Sequence, residues 1–506
     1  MELRPYQEEA INRVRSAMRE GYRRIILASC TGSGKTVVMA KIASEAVARG
    51  KKVLIVVDDS PLIDQTIDKL KQFGVLTGVI KAGYNEDPEK VCQVASIDTL
   101  IRRSYPEASL ILIDECHLSY AKKYAKLFET YSDKFFIGFS ATPERTKKKE
   151  KLGDIWEIMI QSLTIDEAIN IGANVPPIVY TIKRHGLNLE EITLTAGDYN
   201  NKQLADKMSS PIVINTAVQT WINKAEGRPT IAFCVNVEHS RILCEAFNAA
   251  GIAADRLDGK TSDDARDAIY SALRTGKIKV LVSVNVLTIG FDEPSVSCIL
   301  CCRPIKKSKV MWIQMIGRGL RLFKGKYDCL VLDQAENVYS HGHPQDYEPA
   351  ELTDSNNDEK AKATGGMARF KVCDSCGQVV PAATRICECG HKFPLNLSDP
   401  LTEGEEKLVT PLRKLPVDER KRAIYSKLIT KAFKNNYKPG WAYHRYVTEV
   451  NENPTREIKL HAIFGKSSTA QNKAEYLKYL TLHAKNSNKD ESWIITRMRE
   501  EFGKNY

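Results

Sequence analysis

No run of this 506-residue chain stays apolar for the roughly 18 residues that a membrane-crossing helix requires, so no helical membrane span is expected. The opening stretch, MELRPYQEEA, lacks the basic-then-apolar order of a secretory signal. Export is therefore not expected, and a cytoplasmic protein is. A disulfide framework is missing as well. Of 13 cysteines nine are scattered, and Cys234, Cys298, Cys301, Cys302 and Cys329 fall inside apolar runs, as reduced core residues do. The first 406 residues lack net charge, with 53 Lys+Arg against 53 Asp+Glu. The whole excess of +11 sits in residues 407–506, which hold 21 basic and 10 acidic residues. So polarised a chain points to a polyanionic partner, with a solvated lysine-rich tail as the alternative.

What is present is a repeated alternation. Arg24–Cys30, Lys52–Asp58, Val91–Ser96, Leu110–Asp114 and Phe135–Ala141 are short Ile/Val/Leu-rich runs separated by helix-length segments. The pattern weakens over Gly186–Ser209. It resumes at Thr230–Val235, Val280–Val284, Val296–Cys301 and Cys329–Asp333. Continuous apolar strands alternating with helices predict an α/β protein whose parallel sheets are covered on both faces. The expected organisation is two tandem α/β domains over 1–185 and 205–343, an acidic linker over 344–368 and a cysteine-bearing module over 369–395. A basic helical tail over 407–506 completes it. The tail holds a weak internal repeat that aligns Ala432, Asn436, Trp441 and Arg445 with Ala484, Asn488, Trp493 and Arg497.

Three motifs carry chemistry. Ser29–Thr36 reads SCTGSGKT between a strand and a helix-length segment. Gly32 and Gly34 let backbone N–H groups turn onto phosphates, with Thr31 and Ser33 completing the loop. Lys35 can reach the terminal phosphates, and Thr36 can offer its hydroxyl to Mg²⁺. Ser29 stands where the strict pattern has its first glycine. The second motif, LILIDECH, ends a strand in adjacent acids: Asp114 suits Mg²⁺, and Glu115 suits polarising an attacking water. The third, QMIGRGLR, places Arg318 and Arg321 three apart on one side of a predicted helix. Guanidinium forks onto phosphate oxygens. Supplied from the second domain, both arginines would reach the γ-phosphate only when the domains close.

In order and spacing, LRPYQ, TGSGKT, DECH, SATP, NVLTIGFD and QMIGRGLR resemble a superfamily 2 helicase across roughly the first 335 residues. Within that superfamily the chain most resembles RadD-type helicases, including phage-encoded relatives. The resemblance implies two RecA-like domains and ATP, Mg²⁺ and nucleic acid as ligands. It implies that Arg4 and Gln7 read adenine, that Gly32, Gly34, Lys35 and Thr36 hold phosphates, and that Asp114 and Glu115 serve Mg²⁺ and water. His117 and Ser140–Thr142 would relay nucleotide state to the nucleic-acid groove, and Gly290 and Asp292 would border both ligands. Arg318 is the arginine-finger position, with Arg321 its neighbour. Departures fall on the track side. Asp58, Asp59 and Asp64 add acids, and Asp98 stands where glutamine is common, which puts the phosphate contacts there in question. The run Arg145–Lys151 either borders the groove or forms a solvated loop.

Cys373-x-x-Cys376 and Cys387-x-Cys389 form the cysteine module. Clustered thiolates suit a tetrahedral Zn²⁺, and a structural zinc ribbon is expected, with His391 as reserve ligand. The closely spaced Cys387 and Cys389 need a tight turn to converge. The expected function is an ATP-dependent helicase or translocase on branched or single-stranded DNA, in repair, recombination or replication. The rivals are an RNA helicase, a nucleic-acid scaffold with an inactive motor, and the translocase subunit of a nuclease complex. The ribbon or the tail is the expected contact for any protein partner, and no membrane is expected.

Overall fold

A computed structural model describes residues 2–354 except 59, 146–149, 184–188, 196–197, 260, 285–292 and 307. It also describes 370–381, 384, 387, 389, 391 and 405–411, with isolated positions from 425 onward. The chain forms two units, Met1–Leu412 and Arg413–Tyr506. In the second, described positions include Tyr425 and Tyr446, which are buried and meet edge to face with ring centroids 5.2 Å apart. The tail repeat lies outside the described residues apart from Arg445.

The first sheet is made of β1 (Arg24–Ser29), β2 (Val53–Val57), β3 (Thr77–Ile80), β4 (Cys92–Ser96), β5 (Leu110–Ile113), β6 (Phe135–Ser140) and β7 (Ile158–Leu163). Its order is β3-β4-β2-β5-β6-β1-β7, and every pairing is parallel. β2 and β5 are buried at every position, as strands covered on both faces must be. The helix Pro5–Arg19 starts with proline at its first turn and buries Gln7, Ala10, Ile11, Val14 and Ala17, one face at helical spacing.

After β8 (Pro177–Lys183) come a short hairpin of β9 (Leu194–Thr195) and β10 (Asp198–Tyr199), then β11 (Thr230–Phe233), β12 (Ala254–Leu257), β13 (Val280–Ser283), β14 (Cys298–Cys301) and β15 (Cys329–Asp333). β16 (Phe370–Val372) pairs with β17 (Val379–Pro381), and β18 (Glu405–Val409) closes the described strands. The second sheet runs β12-β13-β11-β14-β15-β8-β18, parallel except where β18 lies antiparallel on β8. Two tandem parallel α/β sheets are thus present, as expected for RecA-like domains.

Three boundaries differ from the expected ones. β8 hydrogen-bonds to β15 from Pro177 to Thr181, so the second domain takes in the strand before residue 185 and starts well ahead of 205. The first part of the acidic linker is tied down: Gly153 N–H donates to the Thr353 carbonyl (2.9 Å) and Ala350 N–H to the Glu144 carboxylate (3.1 Å). Tyr347 is buried, and its hydroxyl bonds Glu144 at 3.0 Å. Finally, β18 runs across residue 407, the expected start of the tail. Its Glu406 carboxylate accepts from the buried Gln334 side chain at 2.7 Å, so the acid is used inside the fold.

Candidate functional site

The TGSGKT, DECH and SATP motifs each leave the carboxyl end of a strand, where parallel α/β sheets present ligand sites, and LRPYQ opens the helix Pro5–Arg19. β1 runs into the phosphate loop. Gly32 (φ 86°) and Gly34 (φ 81°) are in the left-handed region, which lets the loop reverse before the helix Lys35–Ala48. No side chain caps that helix, so its first N–H groups remain directed at an anion site. Lys35 Nζ donates to the carbonyls of Ser29 (3.2 Å) and Cys30 (3.3 Å), and Ser33 Oγ to Cys30 (2.7 Å). The ammonium thus rests on its own loop, within a side-chain swing of the anion site.

Gln7 meets the phosphate loop directly. It is 5% exposed; its Nε2 donates to the Ser33 carbonyl (3.0 Å), and its Oε1 accepts from Arg4 N–H (3.0 Å). Tyr6, the residue of LRPYQ given no role above, donates to the same Ser33 carbonyl at 2.9 Å. A Cβ on Gly34 would lie 2.5 Å from Gln7 Nε2. Gln7 and Tyr6 therefore brace the phosphate loop from behind. Arg4 is exposed and reaches Tyr6 at 3.4 Å.

β5 ends at Ile113 and delivers the acids. Asp114 is 7% exposed, and its Oδ1 accepts from Glu115 N–H at 3.0 Å. Burial and the neighbouring Glu115 charge raise the Asp114 pKa. Glu115 adopts φ 47°, ψ 49°, a left-handed conformation that glutamate rarely takes and that is characteristic of functional sites. Burial alone would raise its pKa, but the adjacent His117 and the charges of Lys35 and Arg318 outweigh it and hold the carboxylate low. The two acids are thereby driven apart, Glu115 toward the ionised form.

His117 links this pair to the end of β6. Its Nδ1 lies 3.2 Å from Glu115 Oε2 and 3.0 Å from Ser140 Oγ, and Ser140 Oγ accepts from Thr142 N–H at 3.1 Å. All four residues are buried or nearly so, and the side-chain path from Glu115 to the Ser140–Thr142 segment is continuous. Arg145 donates to the His117 carbonyl at 3.1 Å and pairs with Glu150, which places the start of the expected basic run against the site.

From the second domain comes the helix Lys309–Gly317. It stops at Gly317, so Arg318 is the cap and Arg321 lies beyond the helix; the two do not share a helical face as predicted. The chain turns off because Gly319 packs on the sheet, where a Cβ would lie 2.3 Å from Cys329 Sγ. Arg321 instead forms an antiparallel bridge with Asn174. Arg318 is 8% exposed and near enough to Glu115 to depress its pKa. A Cβ on Gly317 would lie 2.7 Å from Thr31, so helix end and phosphate loop are in contact. Cys30 and Leu163 share an apolar cluster with Trp312, Ile316 and Leu320, which seals the two sheets together beside the site. Gly290 and Asp292 lie outside the described residues.

Asp58, Asp64 and Asp98, three of the extra acids, each lie beside a lysine, and Asp59 lies outside the described residues. Lys123 Nζ lies 2.5 Å from Asp58 and 3.3 Å from Asp98, and Asp58 also accepts from Tyr124. Asp64 accepts from Tyr84 (2.9 Å) and lies 3.6 Å from Lys81. The repulsion anticipated there is reduced by these lysines.

In the cysteine module, the Sγ atoms of Cys373, Cys376, Cys387 and Cys389 all fall within 4.8 Å of one another. Cys373 and Cys389 approach to 3.5 Å, and Cys376 and Cys387 to 3.7 Å. Zn–S bonds of about 2.3 Å in a tetrahedron put sulfurs about 3.8 Å apart, so the donor set fits that ion. The turn needed for Cys387 and Cys389 is closed by Cys387 N–H donating to the His391 carbonyl at 2.8 Å. The His391 ring instead lies 3.8 Å from Asp374. The module is fixed to the second sheet by Thr410, which bonds Gly377 and Val379.

Residues 1–145 match the family described as "Type III restriction enzyme, res subunit", and residues 213–323 match "Helicase conserved C-terminal domain". The chain is 28% identical over 466 residues to a "51.5 kDa protein" of a Lactococcus phage, covering 90% of this chain and 96% of that one. It is 32% identical over 356 residues to IRC3 of Saccharomyces cerevisiae, named for ATP-dependent helicase activity, covering 65% of this chain and 51% of that protein. The chain thus spans nearly all of the phage relative and about half of the yeast one. Among solved structures, an HsdR-subunit fragment of a Vibrio vulnificus type I restriction enzyme shares the fold at TM-score 0.55 and 20% identity, over 68% of this chain and 66% of that one.

Proposed function

Because this chain belongs to the superfamily 2 helicases, a family of ATP-hydrolysing enzymes that act on nucleic acid, we propose that it is a DNA-directed motor, working on single-stranded or branched DNA. The observation that carries the proposal is the unbroken path from Glu115 through His117 to Ser140 and Thr142. It joins the acid suited to hydrolysis to the segment that leaves β6 toward the track side.

Lys35 leaves the carbonyls of Ser29 and Cys30 to pair with the terminal phosphates of ATP. Backbone N–H groups from Gly32 to Thr36 orient those phosphates. Thr36 and Asp114 would hold Mg²⁺, which when bound neutralises charge that develops on the phosphates. Asp114 suits that duty because it is buried at a strand end and hydrogen-bonded through one oxygen only. Glu115, held ionised, orients the attacking water. Arg318 approaches from the second domain and stabilises charge on the γ-phosphoryl group. Loss of that group releases Arg318, the domains part, and His117 passes the change to Ser140 and Thr142. Strand stepping follows from such opening and closing.

DNA is favoured by the resemblance of the motif set to DNA-directed members of the superfamily. The +11 tail would add affinity through phosphate contacts. Zn²⁺ would be held by the four cysteines in a purely structural role, since no ligand position remains for water or substrate. Repair, recombination or replication would each use such a motor, and the ribbon or the tail would receive a protein partner. Among the described residues no helix is long and apolar enough to cross a membrane.

Steady-state ATPase with single-stranded DNA, forked DNA and RNA tests the proposal. DNA should stimulate turnover and Lys35→Ala should abolish it. Stimulation by RNA alone would replace DNA as the track, and full activity of Lys35→Ala would remove the motor.

A further inference from the structure

Asn174 lies in the connector between the two sheets, 3% exposed, and touches both halves of the ATP site. Its Nδ2 donates to the Thr31 carbonyl of the phosphate loop at 2.9 Å. Its main chain bridges Arg321, and the next residue, Val175, donates to the Leu320 carbonyl at 2.9 Å. The connector itself is anchored. Ala173 and Asn174 N–H groups both reach the Ala168 carbonyl, at 2.7 and 3.1 Å, at the end of the helix Ile165–Asn170.

Packing narrows its role. A Cβ on Gly32 would lie 2.3 Å from Asn174 Oδ1, so the side chain rests directly on the loop at a residue where only hydrogen leaves room. Thr31 is then held from two directions, its carbonyl by Asn174 and its side chain by the Gly317 backbone. Asn174 Oδ1 is buried without a hydrogen-bond partner. An apolar side chain would fill this space without leaving a buried acceptor unmatched, which is unfavourable. Packing alone therefore does not account for asparagine here; the donor to Thr31 does.

We propose that Asn174 is a positioning residue of the ATPase. It ties the phosphate loop to the segment bearing Arg318 and Arg321, so that loop geometry and arginine placement change together. Neither contact is to nucleotide; Asn174 acts through Thr31 on one side and Arg321 on the other. Its loss should leave ATP binding largely in place and impair the step that needs both halves aligned, which is turnover.

This inference rests on ATP hydrolysis at the site proposed above. Full-length wild type, Asn174→Ala and Asn174→Leu are compared for nucleotide affinity, ATPase kcat and KM with and without single-stranded DNA, and thermal midpoint. Leucine keeps the approximate shape, adds no charge and removes the donor to Thr31. Both variants should lose about tenfold or more in DNA-stimulated kcat per nucleotide-binding site while KM for ATP moves less than about threefold. A wild type without ATPase would overturn the underlying reading. An active wild type with either variant unchanged in kcat would overturn the inference. So would variants whose kcat per nucleotide-binding site is normal and whose deficit is only lost folded protein.

Discussion

One methyl group at Gly317 should cost more activity than stability. The added Cβ would lie 2.7 Å from Cβ and Oγ1 of Thr31 and 2.9 Å from its Cγ2. Carbon atoms pack at about 3.5 Å or more, so loop and helix end must part by about 0.8 Å. Thr31 cannot swing aside easily, because it is β-branched and its carbonyl is held by Asn174. Overpacking of this kind costs about 1–3 kcal/mol. Falling on the closed arrangement of the domains, it lowers turnover about 5- to 150-fold at 1.36 kcal/mol per factor of ten. The helix Lys309–Gly317 itself gains, since alanine is the better helix former by up to about 1 kcal/mol and Gly317 has no positive φ. DNA-stimulated ATPase of Gly317→Ala should therefore fall, and the thermal midpoint should fall by less than the overpacking alone would take it. Thr31→Gly in the same chain removes all three opposing atoms and should restore turnover to that of Thr31→Gly alone. Turnover of Gly317→Ala within about twofold of wild type, less than about 0.5 kcal/mol, would refute the reasoning. Failure of the second substitution to restore it would do the same.

Purified protein should carry one zinc per chain by elemental analysis, and Cys376→Ser should lower it; metal-free wild type that is otherwise folded excludes the zinc assignment. Stability should also fall in mild acid. Burial lowers the pKa of His239 to about 4, of His341 to about 4 and of His343 to about 3, from an ordinary value of 6.5. Between those values the unfolded chain binds protons that the folded chain refuses. The contribution is therefore intact above pH 6.5 and is lost as pH falls toward 4, at up to about 1.4 kcal/mol per pH unit for each histidine. The urea midpoint should drop between pH 7 and pH 5, and a flat profile would show that these rings are hydrated in the folded state.

The strands that could be read from sequence are those covered on both faces. β2, β5, β11 and β13 are buried throughout and appear as unbroken apolar runs. The missed strands lie at sheet margins or wear polar residues. β12 reads ADRL with only its last residue buried, and β18 reads EEKLV on the edge of the second sheet. β8 was assigned to the wrong domain because its partner, β15, is about 150 residues away, and no local pattern reveals a pairing of that range. At the site, Lys35, Asp114, Glu115 and Arg318 could be singled out because phosphate and metal chemistry demands particular residue types after a strand or at a helix end. Asn174 carried no such signal, and Tyr6 stood inside LRPYQ with no role assigned to it. Each acts through a backbone carbonyl of the phosphate loop, a group that every sequence supplies at every position.

The same distinction explains why the acids beside the track misled. Asp58, Asp64 and Asp98 read as repulsive to phosphate only while their partners are unknown, and Lys123 and Lys81 are supplied by other elements. Charge in this chain must be counted by neighbourhood. Lys123 answers two acids at once and Lys81 a third, so Asp58, Asp64 and Asp98 together keep one negative charge beyond their lysines, while the first 406 residues are balanced as a whole. A motor surface with no basic surplus grips phosphate weakly and releases it readily, as repeated stepping requires. The surplus of basic residues beyond residue 406 is then the part suited to staying bound. Affinity carried by a tail and movement carried by two neutral domains would be separable functions, because the tail forms a unit of its own from Arg413 onward.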